Sequence, residues 1–111
     1  MKVVRRNDTR VFLEGSEVCR EYYATAKRVF GTSTLAPAIT GAIDIGHPDG
    51  EEIFCVMQGE VLLRNPDNGE GVVLNTHDIA IIPKGEPHQL TNCGETTAIV
   101  SWCLTNDVKE A

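Results

Sequence analysis

The feature that most constrains this chain is a rhythm of short runs rich in Val, Ile, Phe and Thr, each stopped by Gly, Pro, Asn or Asp. Helical periodicity is hard to find. The runs predict strands at Val3–Arg6, Val11–Leu13, Val18–Ala24, Lys27–Leu35, Ala38–Ile45, Ile53–Gln58, Glu60–Arg64, Gly71–Leu74, Ile79–Ile82, His88–Asn92 and Thr96–Leu104. Many short strands at this spacing build a sandwich or a barrel. The clearest hairpin signal is Asn65-Pro66-Asp67-Asn68-Gly69, where proline presets one turn residue and Asn-Gly supplies positive φ. Residues Ser16–Lys27 also admit helical charge pairing through Glu17, Arg20, Glu21 and Lys27, but the strand reading is preferred.

The 111 residues amount to one domain, with enough apolar sequence (41%) for a core of its own. A net charge of −6 argues against nucleic acid as a partner, since phosphate binding needs a basic face. No apolar run approaches bilayer length and no signal core opens the chain, so a cytoplasmic protein without a membrane partner is expected. The four cysteines (Cys19, Cys55, Cys93, Cys103) show no C-x-x-C spacing, which excludes a zinc-finger pair or a thioredoxin-type motif. No dinucleotide fingerprint or phosphate-cradling loop is present.

Two segments carry chemistry. The first runs from His47 through Glu52 to Gly59, and the second is Pro83-Lys84-Gly85-Glu86-Pro87-His88 followed by Asn92. In a strand, residues two apart share a face. If His47 points inward, so do Ile45 and Ile43, while Asp44 points out. In the next strand Glu52, Phe54 and Val56 share one face, and beyond the second loop His88, Leu90 and Asn92 share another. A glutamate heading an apolar strand face is costly unless paired, coordinated or solvated. Two histidines and a carboxylate converging from separate strands are a donor set for Fe(II), Mn, Ni or Zn.

These segments resemble the two motifs of the cupin superfamily, a small double-stranded β-barrel of jelly-roll type. The second motif matches at Pro83, Gly85, His88 and Asn92, with His77 where its leading glycine is usual. The first matches from its second histidine: His47, four residues, Glu52, six residues, Gly59. Ile45 replaces its first histidine, and Gly41 is an approximate stand-in for its leading glycine. The resemblance covers about half the chain, from Gly41 to Asn92. It implies an all-β cupin fold over residues 1–111, with a core barrel over 36–104. It also implies that His47, Glu52 and His88 occupy three of the family's four metal-ligand positions, with Ile45, Phe54 and Leu90 lining the pocket.

The function expected is that of a small cupin enzyme with one divalent metal, acting on a small organic molecule by dioxygenase, isomerase or lyase chemistry. Two metal-free alternatives use the same pocket. One binds or senses an apolar or sugar-like ligand, and the other uses His47 or His88 with Glu52 as an acid–base pair. Tyr22 or Tyr23 is expected to face inward, and Trp102 to lie in the core or a dimer interface. The β-rich residues 1–35 exceed what a minimal barrel needs, so they are expected to pair with a second copy as a homodimer.

Overall fold

The computed structural model describes residues 1–108. Nine strands follow a one-turn 3-10 helix at Arg6–Asp8: β1 (Arg10–Glu14), β2 (Glu17–Ala24), β3 (Arg28–Leu35), β4 (Gly50–Gln58), β5 (Val61–Arg64), β6 (Gly71–Leu74), β7 (Ile79–Ile82), β8 (Gln89–Asn92) and β9 (Ala98–Asn106). They form two antiparallel sheets, one of six strands in the order β1-β2-β3-β9-β4-β7 and one of three in the order β6-β5-β8. The all-β double-stranded barrel expected from the motifs is the fold observed. No helix of the described residues is long and apolar enough to cross a membrane.

The sheets close over Leu35, Phe54, Val56, Val61, Leu63, Leu74, Ile82, Leu90, Ala98 and Val100. Burying each large side chain contributes roughly 1.5–3 kcal/mol. Alternation along β4 holds as expected: Glu52, Phe54 and Val56 are buried, while Glu51, Ile53 and Met57 face out. Gly15 (φ 57°) turns β1 into β2, pairing Glu14 with Glu17. This hairpin settles Glu17–Ala24 as strand rather than helix.

Two expected strands are absent. Residues 3–6 are not paired, and the chain enters the 3-10 turn there. The segment predicted as Ala38–Ile45 is a loop with two single bridges, Thr40 to Thr91 in β8 and Asp44 to His88 just before it. At its end Gly46 adopts φ 93°, and a Cβ there would meet the backbone of Gly85 at 2.7 Å. Only glycine fits that approach, and the extended geometry behind the two-residue alternation ends at this point. His77, in place of the usual glycine, takes a left-handed φ of 73° in an exposed turn.

Asn92 is 1% exposed and holds the barrel together. Its side-chain amide donates to the carbonyls of Leu35 (3.0 Å) and Thr96 (2.8 Å), and its carbonyl accepts from the Gly94 amide (3.0 Å). The asparagine of the second motif thus satisfies backbone groups where β8 ends.

Candidate metal centre

His47, Glu52 and His88 come together as the sequence implied. Glu52 reaches inward from β4 with 6% of its surface exposed, and His88 precedes β8 with 4% exposed. His88 Nε2 lies 3.0 Å from Glu52 Oε1, and His47 Nε2 lies 3.9 Å from the same oxygen. The two loops are tied to each other, because the His47 carbonyl accepts from the Gly85 amide at 2.9 Å.

The expected role of Ile45 needs correction. Its side chain is 84% exposed and does not line the cavity; Asp44 faces inward instead. The Asp44 and His88 backbones exchange two hydrogen bonds of 2.9 Å, the pattern of directly opposed antiparallel residues, whose side chains share a face. Asp44 Oδ1 then accepts from the Gly46 amide at 2.8 Å, closing an Asx turn. Its Oδ2 is left 3.4 Å from His47 Nε2 and 3.5 Å from His88 Nε2. The tripeptide Asp44-Ile45-Gly46 was the signal available in the sequence. An aspartate two residues before a glycine favours that turn over a continuing strand.

Donor atoms of Asp44, His47 and Glu52 lie within 4.8 Å of one another, and the His88 ring closes the group. Their imidazole-to-carboxylate separations run from 3.0 to 3.9 Å, and two imidazole nitrogens with two carboxylates are a donor set suited to a divalent cation. The tautomer points the same way. His88 Nδ1 is 3.0 Å from the Glu86 carbonyl and donates to it, which turns the Nε2 lone pair toward Glu52 Oε1. That oxygen is buried without a hydrogen-bond partner. Two electron-rich atoms facing each other require a cation or a proton between them. Burial pulls the His88 pKa down, but Glu52, the Glu86 carbonyl and the Asp44 charge outweigh it and hold it above the ordinary histidine range.

A cavity of about 280 Å³ opens beside the cluster. Phe54 and Leu90 line it as expected, and the Phe54 ring meets His88 edge-on at 5.3 Å. Trp102 forms another wall, its indole N–H donating to Ser33 Oγ at 3.1 Å. Neither tyrosine reaches the cavity: Tyr22 packs edge-on against Phe30, and Tyr23 is exposed beyond the irregularity in β2. Residues the motifs did not mark also line it, namely Arg10, Glu14, Glu17 and Glu21 from the first hairpin. Arg10 stacks over Phe12 at 4.3 Å and pairs its Nε with Glu21 at 2.9 Å. All four cysteines are free thiols.

Similar folds are known. A structure from Klebsiella pneumoniae, described as an uncharacterized conserved protein with a double-stranded β-helix domain, superposes with a TM-score of 0.81 at 22% identity, over 96% of this chain and 90% of that one. A predicted oxalate decarboxylase from Thermotoga maritima gives 0.80 at 19% identity, over 96% of this chain and 100% of that one. The polyketide cyclase RemF from Streptomyces resistomycificus gives 0.73 at 19% identity, over 99% and 87%. In sequence, the uncharacterized protein YdbB of Bacillus subtilis (strain 168) is 44% identical over 64 residues, which are 58% of this chain and 53% of that protein. The chain therefore spans about half the length of this curated relative. The family described as Cupin domain matches residues 31–104, a span holding β4 to β8, most of β3 and β9, and all four clustered side chains, and the chain belongs to that family.

Proposed function

We propose that this chain is a small metal-dependent cupin enzyme that holds one divalent ion (Fe, Mn, Ni or Zn) with Asp44, His47, Glu52 and His88. Its substrate is a small organic molecule in the adjoining cavity. The observation that carries this reading is the buried Glu52 Oε1, which faces His88 Nε2 at 3.0 Å. Asp44 supplies the charge and the fourth donor that Ile45 does not. Four protein donors leave room at a six-coordinate ion for a substrate oxygen and water. When bound, such an ion supplies Lewis-acid polarisation of a substrate oxygen, or activation of water or dioxygen, for chemistry of dioxygenase, isomerase or lyase type.

The chain's own side chains define the rest of the site. Phe54, Leu90 and Trp102 shape a largely apolar wall that limits water around the ligand. The Glu86 carbonyl fixes the His88 ring through Nδ1. The four free thiols suit a reducing compartment such as the cytoplasm. Metal analysis of protein purified without chelator tests the assignment. One ion per chain, lost in His88→Ala, is expected; protein that stays metal-free and cannot be reconstituted overturns it.

One observation favours a second reading. The Glu52 carboxylate, 3.0 Å from His88 Nε2, helps hold the His88 pKa above the ordinary histidine range, and on this reading the two form a metal-free His–Glu acid–base pair. Metal-free protein with a bell-shaped pH–rate profile would favour that reading.

We also propose a homodimer built on the outer face of the six-stranded sheet. There Tyr23, Phe30, Cys103, Ile53 and Ile81 form one cross-strand row across β2, β3, β9, β4 and β7. Tyr23, Phe30, Ile53 and Ile81 are each at least 40% exposed. An exposed apolar row of that length suits a protein interface.

A further inference from the structure

Glu17 is a buried ionisable group of the cavity that the metal set leaves unused. It opens β2 with 6% of its surface exposed, yet it lines the same cavity as Asp44, His47, Glu52 and His88. Its carboxyl group has a seat built for it. A Cβ at Gly41 would overlap the Glu17 carboxyl, and Gly41 does not adopt the left-handed conformation that would otherwise call for glycine. The missing side chain makes room for the acid.

Its hydrogen bonding comes from two neutral side chains. The Cys19 thiol, a weak donor, lies 3.9 Å from Glu17 Oε2 and 3.5 Å from Ser33 Oγ, and the Ser33 hydroxyl also hydrogen-bonds the Glu17 carboxyl. Arg10, a cation lining the same cavity, directs its Nε to Glu21. Among the described residues no cation pairs with Glu17. A carboxyl buried without a cation costs stability, and its place in the cavity lined by the clustered donors is where a ligand-binding acid belongs.

We propose that Glu17 is a substrate-binding acid of this site, its carboxyl O–H donating to an anionic oxygen of the ligand held at the Asp44, His47, Glu52 and His88 cluster. This rests on the metal reading above. The ligand class it implies is a small molecule bearing a carboxylate, enolate or phenolate oxygen. Where that oxygen gains negative charge, the Glu17 O–H bond breaks as the ligand O–H bond forms. Glu17 is left as a carboxylate and takes a proton back from water.

The surroundings suit the role. Burial, then the Glu14 charge, push the Glu17 carboxyl up to about 7; Asp44 adds to this, while Ser33 and His88 oppose it. The groups facing it are Glu14 at the end of β1, Cys19 on its own strand, Ser33 on β3, and Asp44 and His88 across the cavity's loop side. Neutral, Glu17 is a donor to an anionic oxygen; ionised, it is a repelling charge at the same place.

The test uses full-length protein loaded with Co(II), whose visible bands report the metal site, titrated with oxalate, which stays fully ionised from pH 6 to pH 8. Wild type is expected to lose at least about tenfold in oxalate affinity across that range. Glu17→Gln, which keeps an N–H donor without a charge, is expected to hold its affinity within about twofold. Gly41→Ala, which displaces the carboxyl from its seat, is expected to flatten the wild-type pH dependence while leaving the Co(II) bands in place. An equal pH dependence in wild type and Glu17→Gln overturns the proposal, as does wild type that shows Co(II) bands but binds no oxalate. Absent Co(II) bands in wild type overturn the metal reading itself and this inference with it.

Discussion

Asp44 and His88 are directly opposed across an antiparallel bridge, exchanging two backbone hydrogen bonds of 2.9 Å, and their side chains therefore enter the cavity together. Asp44→Ala is expected to weaken metal binding at least about a hundredfold, as loss of a direct ligand should exceed the effect of losing an outer partner. Isothermal titration of apo-protein with Mn(II) or Zn(II) checks this. Ile45→His, which restores the usual motif residue, is expected to leave affinity within about twofold of wild type, because that side chain points to solvent. A large gain in Ile45→His would show that Asp44 is not the fourth donor.

Glu17 sets a pH dependence of stability in the metal-free protein. In the unfolded chain its proton leaves near 4.5, and in the folded chain it is held to about 7. Between those values the folded state binds more protons, so stability falls as pH rises through the window, by about 3 kcal/mol in all. Urea unfolding at pH 5 and pH 8.5 should show Glu17→Gln gaining on wild type at the higher pH. A constant difference between the two proteins at both pH values would contradict the burial argument.

Gly46 is the joint on which the site turns. With φ 93° and the Gly85 and Glu86 backbones within 3 Å of any added Cβ, Gly46→Ala has no room to adjust. A loss of about 1–3 kcal/mol is expected in thermal or urea unfolding, together with weaker metal binding as Asp44 and His47 shift. Gly69→Ala is the control. Its φ is also positive, but nothing lies within 4 Å of its added Cβ, so it should cost stability without touching the metal site.

The apolar row across the six-stranded sheet predicts a dimer by light scattering at micromolar concentration. Replacing Ile53 and Ile81 with lysine should give a monomer that keeps its metal, since both side chains face away from the cavity. A monomeric wild type removes the interface.

Strand alternation, turn residues and motif spacing by themselves determined most of this barrel. Glu52, Phe54 and Val56 on one face of β4 and the Asn65–Gly69 hairpin follow from local rules of period and turn chemistry, while the meeting of His47, Glu52 and His88 follows from the motif resemblance. Those rules failed in one place with consequences. The segment before His47 reads as a strand, and a two-residue period put Ile45 inside and Asp44 outside. Tertiary structure decided otherwise, because Gly46 must pass against the Gly85 backbone and Asp44 must pair with His88, contacts between residues about forty positions apart. The same holds for Glu17, which lay outside the predicted strand Val18–Ala24 and figured only in helical charge pairing. Its burial depends on the empty space at Gly41, which no spacing in the sequence expresses.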